Sequence, residues 1–296
     1  MDAARITPPR RFRLPIDNRW GAGDMSVLDF GDAERPADLV FVHANGFNAG
    51  TYRSLLAPLG GALRVLAPDL RGHGQTRLPT RTRGRFSWHD HRDDLIALLD
   101  SLDGPPVALA GHSMGGTAAL LAAAERPEKV SGLILFDPVI WPRAAVFALG
   151  LPLARRAPGR MPLVRSALRR RVEFPNRQAA LAAYRGRGAF RDWPETMLAD
   201  YVADGFVESG DGVRLICDPA WEASNYASQS HDPYAALAKV RRPVRILRAA
   251  HGSTCHLAAP PRGMDHIRVD TVPDGTHFIP MLRPDVTRDA LFEAAT

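Results

Sequence analysis

Short apolar runs rich in β-branched residues recur along the chain and alternate with longer segments of helical periodicity. Because these runs are apolar almost throughout, they suit strands that are buried on both faces. Six of them are predicted as strands, at 38–44, 64–70, 106–113, 131–139, 243–250 and 266–272. Helices are predicted at 51–59, 87–102 and 114–127 and near 280–295, with Ser87 as the N-cap of the second.

Repeated alternation of strands and helices predicts an α/β fold with a mostly parallel central sheet flanked by helices. Two earlier runs, 11–16 and 25–31, are candidates for an antiparallel edge of this sheet. Residues 140–230 break the rhythm, are rich in Ala and Leu, and contain ten of the chain's 22 aromatic residues. We therefore predict a core domain formed by 1–139 and 231–296, with 140–230 inserted as a helical lid.

Composition narrows the class of protein further. The 296 residues are 45% hydrophobic and carry a net charge of +6, but only two of the basic residues are lysines and no nucleic-acid-binding motif accompanies them. Two cysteines suffice for neither a disulfide framework nor a zinc set, and no metal or cofactor is predicted. Neither a signal peptide nor a membrane helix is apparent. We expect a cytoplasmic protein that acts on a small molecule and binds neither nucleic acid nor membrane.

The sequence GHSMG at 111–115 is a G-x-S-x-G motif between a predicted strand and a predicted helix. In that context the serine occupies a sharp, strained turn that exposes its hydroxyl at the end of the sheet. The flanking glycines allow the strand and the helix to approach each other closely. Ser113 is the predicted nucleophile, and the N–H of Met114, at the positive end of the helix, is available to an anion.

At these motifs the chain resembles the α/β-hydrolase family. The resemblance also rests on FVHANGFNAGTYR at 41–53, APDLRGHGQT at 67–76 and GTHFIPMLRPD at 275–285. It implies His277 as the general base and an oxyanion hole formed by the N–H groups of Met114 and Asn45. The family usually has Gly where this chain has Ala44, so Phe47 remains an alternative donor.

A catalytic triad needs a carboxylate to orient the histidine, and the loop after the strand at 243–250 contains none. The neighbouring strand at 131–139 ends in Asp137, where some members of the family place their acid. We predict Asp137 as the third triad residue. The alternatives are that Asp137 only caps a turn, or that Ser253 or water assists a Ser-His dyad. Asp274 is too close to His277 in sequence to reach its Nδ1.

A serine nucleophile predicts acyl transfer to water, and we rank hydrolysis of a carboxylic ester or lactone first. Hydrolysis of a carbon–carbon bond in a diketone and a non-catalytic role as a small-molecule receptor remain alternatives. The aromatic residues of 140–230 suggest a largely apolar substrate. Trp141 and Phe47 are candidates to contact it, and Arg143 is a candidate to hold a carboxylate.

Overall fold

The computed structural model describes residues 8–151 and 161–296. Its main sheet has eight strands, numbered along the whole chain: β1 (Arg10–Asn18), β2 (Gly21–Phe30), β3 (Leu39–Val42), β4 (Val65–Pro68), β5 (Val107–His112), β6 (Val130–Phe136), β10 (Val244–Ala249) and β11 (Ile267–Val272). Their order across the sheet is β1-β2-β4-β3-β5-β6-β10-β11. The six apolar runs therefore all contain strands of one sheet, as predicted.

Most of this sheet is parallel. Strands β4, β3, β5, β6, β10 and β11 pair in parallel, whereas β1 and β2 form an antiparallel hairpin and β2 pairs antiparallel with β4. The antiparallel edge predicted from the two earlier runs is thus confirmed. Since the central strands are parallel, their carboxyl ends lie at one edge of the sheet, where ligand sites of open α/β sheets form.

Helices cover both faces of the sheet. They are α1 (Arg53–Leu56), α2 (His89–Asp100), α3 (Met114–Glu125), α9 (Pro233–Lys239), α10 (Ile279–Leu282) and α11 (Pro284–Ala295). Successive residues of a strand point to opposite faces. Val40 therefore packs in the cluster that includes α2, α3 and α9, and Phe41 packs in the cluster that includes α1 and α11.

Two helix predictions need correction. The segment 51–59 is not one helix, because α1 has a single turn and 3₁₀ turns flank it, at Ala49–Tyr52 and Ala57–Gly61. Pro58, which has no backbone N–H, cannot continue an α-helix there. Ser87 is not the N-cap of α2. That helix begins at His89, so Trp88 holds the cap position without a side-chain hydrogen bond.

The segment between β6 and α9 contains five helices among its described residues: α4 (Arg143–Gly150), α5 (Pro162–Leu168), α6 (Arg177–Tyr184), α7 (Glu195–Gly205) and α8 (Pro219–Ala227). It also contains a small antiparallel sheet, in the order β7-β9-β8, that the sequence did not predict. Its strands are β7 (Glu173–Phe174), β8 (Phe206–Ser209) and β9 (Gly212–Leu215). Residues 152–160 of the predicted lid and 1–7 of the predicted core lie outside the described residues.

Among the described residues, every helix is too short or too polar to cross a lipid bilayer.

Candidate active site

Ser113 sits in a tight turn between β5 and α3. Its backbone has φ 55° and ψ −121°, a conformation that L-residues adopt at a cost of about 1–3 kcal/mol. A Cβ on Gly111 would lie 2.6 Å from the carbonyl carbon of Gly115, and a Cβ on Gly115 would lie 2.3 Å from the carbonyl oxygen of His43. Both positions of the motif therefore need glycine for steric reasons, and the turn presents the serine hydroxyl to a cavity.

His277 lies between the Ser113 hydroxyl and a carboxylate. It belongs to the loop that joins β11 to α10, and its Nε2 is 3.0 Å from Ser113 Oγ. Its Nδ1 is 2.6 Å from Asp137 Oδ2. A neutral imidazole that donates its Nδ1–H to the carboxylate leaves Nε2 free to accept the serine proton. The three side chains thus form a continuous hydrogen-bonded chain.

Asp137 follows the last residue of β6 and has a positive φ of 42°. Its Oδ1 accepts hydrogen bonds from the Ala249 N–H at 2.8 Å and from Ser253 Oγ at 2.5 Å. Its Oδ2 accepts one from the Thr254 N–H at 2.9 Å. Burial by itself raises the pKa of this carboxyl, but the hydrogen bonds, with that of His277 the largest, outweigh it and lower the pKa to about 2.

The other residues considered for the third triad position, Ser253 and Asp274, make no hydrogen bond to His277. Ser253 hydrogen-bonds the carboxylate and the carbonyl of Cys255 rather than His277. Asp274 has a positive φ of 54° in the turn after β11 and makes no hydrogen bond to His277. Asp137 is therefore the carboxylate that contacts the imidazole.

Two backbone N–H groups beside Ser113 are open to a ligand. The N–H of Ala44 donates to Tyr52 Oη at 3.2 Å, and that of Phe47 donates to the carbonyl of Ala44 at 3.2 Å. The N–H groups of Asn45 and Met114, in contrast, have no acceptor in the part of the chain that the structure describes. Asn45, and not the alternative Phe47, has the free donor.

Two buried histidines hold the loop that carries Asn45. His43 donates its Nδ1–H to the carbonyl of Ala44 at 2.8 Å, and its bare Nε2 accepts the N–H of Leu70 at 2.8 Å. The Nε2 of His73 accepts the N–H of Gly46 at 3.1 Å. Burial lowers the pKa of both rings, which keeps them neutral and able to accept these bonds.

His112 links the loop that carries Asn45 to the backbone of His277, a role that the sequence did not reveal. Its Nε2–H donates to the carbonyl of His277 at 2.8 Å, so its Nδ1 accepts from the Tyr52 hydroxyl at 2.8 Å. Tyr52 in turn accepts from the N–H of Ala44. Burial lowers the pKa of His112 to about 3. Such a chain of neutral hydrogen bonds holds several backbone segments around the nucleophile in one arrangement.

A cavity of about 610 Å³ opens above Ser113 and His277. Its wall is largely apolar, with aromatic contributions from Phe47, Trp88, Trp141, Tyr184, Phe190, Tyr226 and Phe278. Phe47 and Trp141 therefore both line the cavity, as expected of substrate contacts. Arg143 does not line it, because its guanidinium lies 4.2 Å from the centre of the Tyr234 ring. The expectation that Arg143 reaches a substrate carboxylate is not supported by this placement.

The cavity wall also contains a largely buried ion pair, which could not be predicted from the sequence. Arg170 follows α5 and donates its Nη1–H to Glu222 Oε2 at 2.6 Å. Its Nη2 donates to Tyr201 Oη at 2.5 Å and to Tyr184 Oη at 3.3 Å. Both members of this ion pair line the cavity.

No cluster of three or more His, Cys, Asp or Glu side chains that could hold a metal ion occurs among residues 8–151 and 161–296.

Two curated proteins from different organisms are similar to part of this chain. The chain is 37% identical over 109 residues to the magnesium-chelatase 30 kDa subunit of Rhodobacter capsulatus, a match that covers 37% of each protein. It is 40% identical over 111 residues to human monoglyceride lipase, and that match covers 36% of each. The chain thus spans little more than a third of the length of these two relatives.

Similarity of fold extends over nearly the whole chain. The crystal structure of E-2-(acetamidomethylene)succinate hydrolase superposes with a TM-score of 0.72 and 22% identity, covering 96% of this chain and 98% of that one. Residues 39–290 match the model of the alpha/beta hydrolase family. On that match, which includes both the nucleophile turn and the His277 loop, the chain belongs to the alpha/beta hydrolase family.

Proposed function

We propose that this protein is a serine hydrolase that cleaves a carboxylic ester or lactone of a small, largely apolar substrate. The observation that carries the proposal is the chain of hydrogen bonds from Ser113 through His277 to Asp137, with distances of 3.0 and 2.6 Å. A serine hydroxyl is a weak nucleophile unless a base accepts its proton, and the His277 imidazole is positioned to do so.

The reaction proceeds through an acyl-enzyme. Ser113 Oγ attacks the substrate carbonyl carbon while its proton passes to Nε2 of His277, and Asp137 stabilises the imidazolium that forms. The N–H groups of Asn45 and Met114 bind the negatively charged oxygen of the tetrahedral intermediate. When the intermediate collapses, the alcohol leaves with the proton from His277. Water then attacks the acyl-enzyme by the same steps and releases the acid and Ser113.

Residues 140–230 serve as the lid of this site in our proposal. Arg170, Tyr184, Phe190, Glu222 and Tyr226 of this segment line the cavity above the nucleophile. Aromatic walls favour an apolar acyl or alcohol group, because burying such a group releases water from apolar surface on both sides. A lid that excludes water also strengthens the electrostatic interactions within the site.

The first experiment measures the intact mass of the protein after treatment with a small fluorophosphonate, followed by assays with ester and lactone panels. We expect a single adduct and hydrolysis of short apolar esters or lactones. Both should be lost in Ser113→Ala and kept in Ser101→Ala, which removes a hydroxyl that caps the end of α2 instead.

Folded protein that takes no fluorophosphonate would contradict the proposed nucleophile and favour a receptor. An adduct on Ser113 without turnover of any ester or lactone would contradict the substrate class, and a diketone panel would then test carbon–carbon bond hydrolysis.

A further inference from the structure

Glu222 is a buried carboxylate in the wall of the substrate cavity, and among the described residues only one of its oxygens has a hydrogen-bond partner. The residue lies in the first turn of α8 and is 6% exposed. Its Oε2 accepts the hydrogen bond from Arg170. Its Oε1 accepts none from the described residues, although Glu222 lines the cavity. Oε1 is therefore an acceptor that is open to a ligand.

This open oxygen lies beside the loop that carries the free N–H of Asn45. A Cβ on the following residue, Gly46, would lie 2.8 Å from Glu222 Oε1 and 3.2 Å from Arg170 Nη1. Gly46 follows Asn45 directly, and consecutive Cα atoms are about 3.8 Å apart, so the carboxylate packs against the residue next to the proposed oxyanion donor. Ser113, Asn45 and Glu222 also line the same cavity, so one substrate can reach the oxyanion donors and Glu222 together.

The α8 helix is held rigidly against this loop, so the position of the carboxylate is well defined. Asn45 Nδ2 donates to the backbone carbonyl of Glu222 at 3.1 Å. Asn45 Oδ1 accepts from Nδ2 of Asn225 at 2.8 Å, and Asn225 Oδ1 contacts Nε2 of His91 at 3.0 Å. Because Asn225 is fully buried, the spacing between the loop that carries Asn45 and Glu222 is fixed by packing as well as by hydrogen bonds.

Charge determines which kind of ligand group fits. Arg170 balances the charge of Glu222, and its guanidinium is already occupied by the carboxylate and by Tyr184 and Tyr201. An anionic group would be repelled by the open carboxylate oxygen. A neutral hydroxyl or amide N–H, in contrast, can donate a hydrogen bond to it, and bonds to a charged acceptor are stronger than those between neutral groups.

We propose that Glu222 binds a hydrogen-bond donor on the substrate, so that the enzyme prefers esters or lactones that carry a hydroxyl or amide N–H close to the scissile carbonyl. This inference rests on the proposed function, because the carbonyl must be the one that Ser113 attacks. Glu222 is then a residue that determines specificity, and Arg170 positions it.

The test compares matched substrates in matched variants. The substrates are p-nitrophenyl butyrate, its 2-hydroxy and 3-hydroxy derivatives, and its 2-acetamido derivative. For each, kcat/KM is measured for the wild type, for Glu222→Gln, and for Glu195→Gln. The last variant makes the same chemical change in an exposed ion pair with Arg185, on another helix of the lid and outside the cavity.

We expect the wild type and Glu195→Gln to prefer at least one derivative over butyrate by about 10- to 100-fold, the range of a hydrogen bond to a charged group. Glu222→Gln should lose this preference, because the amide oxygen will remain with Arg170 and turn an NH₂ donor toward the substrate. If Glu222→Gln fails to fold, the double variant Arg170→Met/Glu222→Met, which leaves neither an unpaired buried cation nor an acceptor at position 222, should fold and also lack the preference.

The outcomes separate this inference from the proposed function. Ester hydrolysis by the wild type without any preference, or a preference that survives in Glu222→Gln or in the folded double variant, would overturn the inference alone. Wild-type protein that takes no fluorophosphonate and cleaves no ester would overturn the proposed function, and the inference with it.

Discussion

Individual residues of the site adopt backbone conformations that the surrounding contacts enforce. Ser113 and Asp137 both have positive φ, at 55° and 42°, although neither is glycine. Each such conformation costs about 1–3 kcal/mol and persists only where neighbouring structure holds it. The N–H of Ser113 donates to the carbonyl of Phe136 at 2.9 Å, and the N–H of Asp137 donates to that of Leu247 at 2.8 Å. Strain at the two positions thus serves to aim their side chains at His277.

Replacing the acid tests its proposed role most directly. Each oxygen of Asp137 accepts a backbone N–H, one from Ala249 and the other from Thr254. In Asp137→Asn, either orientation of the amide will bring its NH₂ group against one of these donors, and the side chain will lack the charge that stabilises an imidazolium. We expect kcat/KM for the best ester to fall by about 10⁴-fold, as when a serine-hydrolase acid becomes an amide.

Ser253→Ala is the matched control for that substitution. It removes one hydrogen bond to Asp137 Oδ1 but leaves the carboxylate and both backbone donors in place. One hydrogen bond to a charged group is worth about 1.5–3 kcal/mol at most. Activity should therefore fall by far less than in Asp137→Asn. Equal rates for Asp137→Asn and the wild type would rule out the carboxylate as the triad acid.

At the scale of elements, a buried ion pair joins α2 to the loop that follows β4. Arg71 donates from Nε and Nη2 to the two carboxylate oxygens of Asp94, at 2.9 and 2.6 Å. The side chains are only 1% and 0% exposed. This loop also carries His73, whose Nε2 accepts the N–H of Gly46 in the loop that carries Asn45. The ion pair therefore holds α2 against the segment that positions His73.

Removing one partner of this buried pair should lower the free energy of unfolding far more than removing one partner of an exposed pair. Asp94→Ala will leave the Arg71 guanidinium buried and unpaired, which typically costs about 3–5 kcal/mol of unfolding free energy. Asp100→Ala, at the C-terminal end of the same helix, breaks an exposed pair with Arg126 and should cost less than about 1 kcal/mol. Urea unfolding of both variants and the wild type measures this difference. Similar losses for the two variants would contradict the importance of burial.

Buried histidines in several parts of the fold make the stability of the protein depend on pH. Burial lowers the pKa of His112 to about 3, of His91 to about 4 and of His231 to about 3. In the unfolded chain an imidazole titrates near pH 6.5. Between about pH 6.5 and 4 the unfolded state therefore binds more protons than the folded state at these positions. Their contribution to stability is complete above pH 6.5 and decreases as the pH falls.

His231→Gln isolates one of these contributions, because His231 packs on Trp88 with ring centres 4.5 Å apart and contacts no part of the triad. For each such histidine, the free energy of unfolding changes by at most about 1.4 kcal/mol per pH unit. We expect the slope of that free energy between pH 4 and 6.5 to be smaller in His231→Gln by up to this amount. His251→Gln, which removes an exposed imidazole, is the control. An unchanged slope in His231→Gln would contradict the assignment.

Much of the fold is determined locally, and for that reason the sequence predicts it. Parallel strands buried on both faces must be apolar throughout, so each of the six runs identifies its own strand. The nucleophile turn is also local, because glycines at 111 and 115 are needed wherever a strand and a helix meet so closely. The small sheet of β7, β8 and β9 escaped prediction because its strands have two to four residues each. Strands this short show no clear periodicity.

Contacts between distant parts of the chain were decided only by the tertiary structure. From the sequence, Asp137 was one of several candidates for the triad acid. The 2.6 Å contact of Asp137 with His277 joins residues 140 positions apart and depends on β6 lying next to β10 in the sheet. The relay through His112 and the pairing of Arg170 with Glu222 leave no pattern in the sequence. Hydrogen bonds between buried side chains depend on positions that packing sets in three dimensions, and packing is a property of the whole fold.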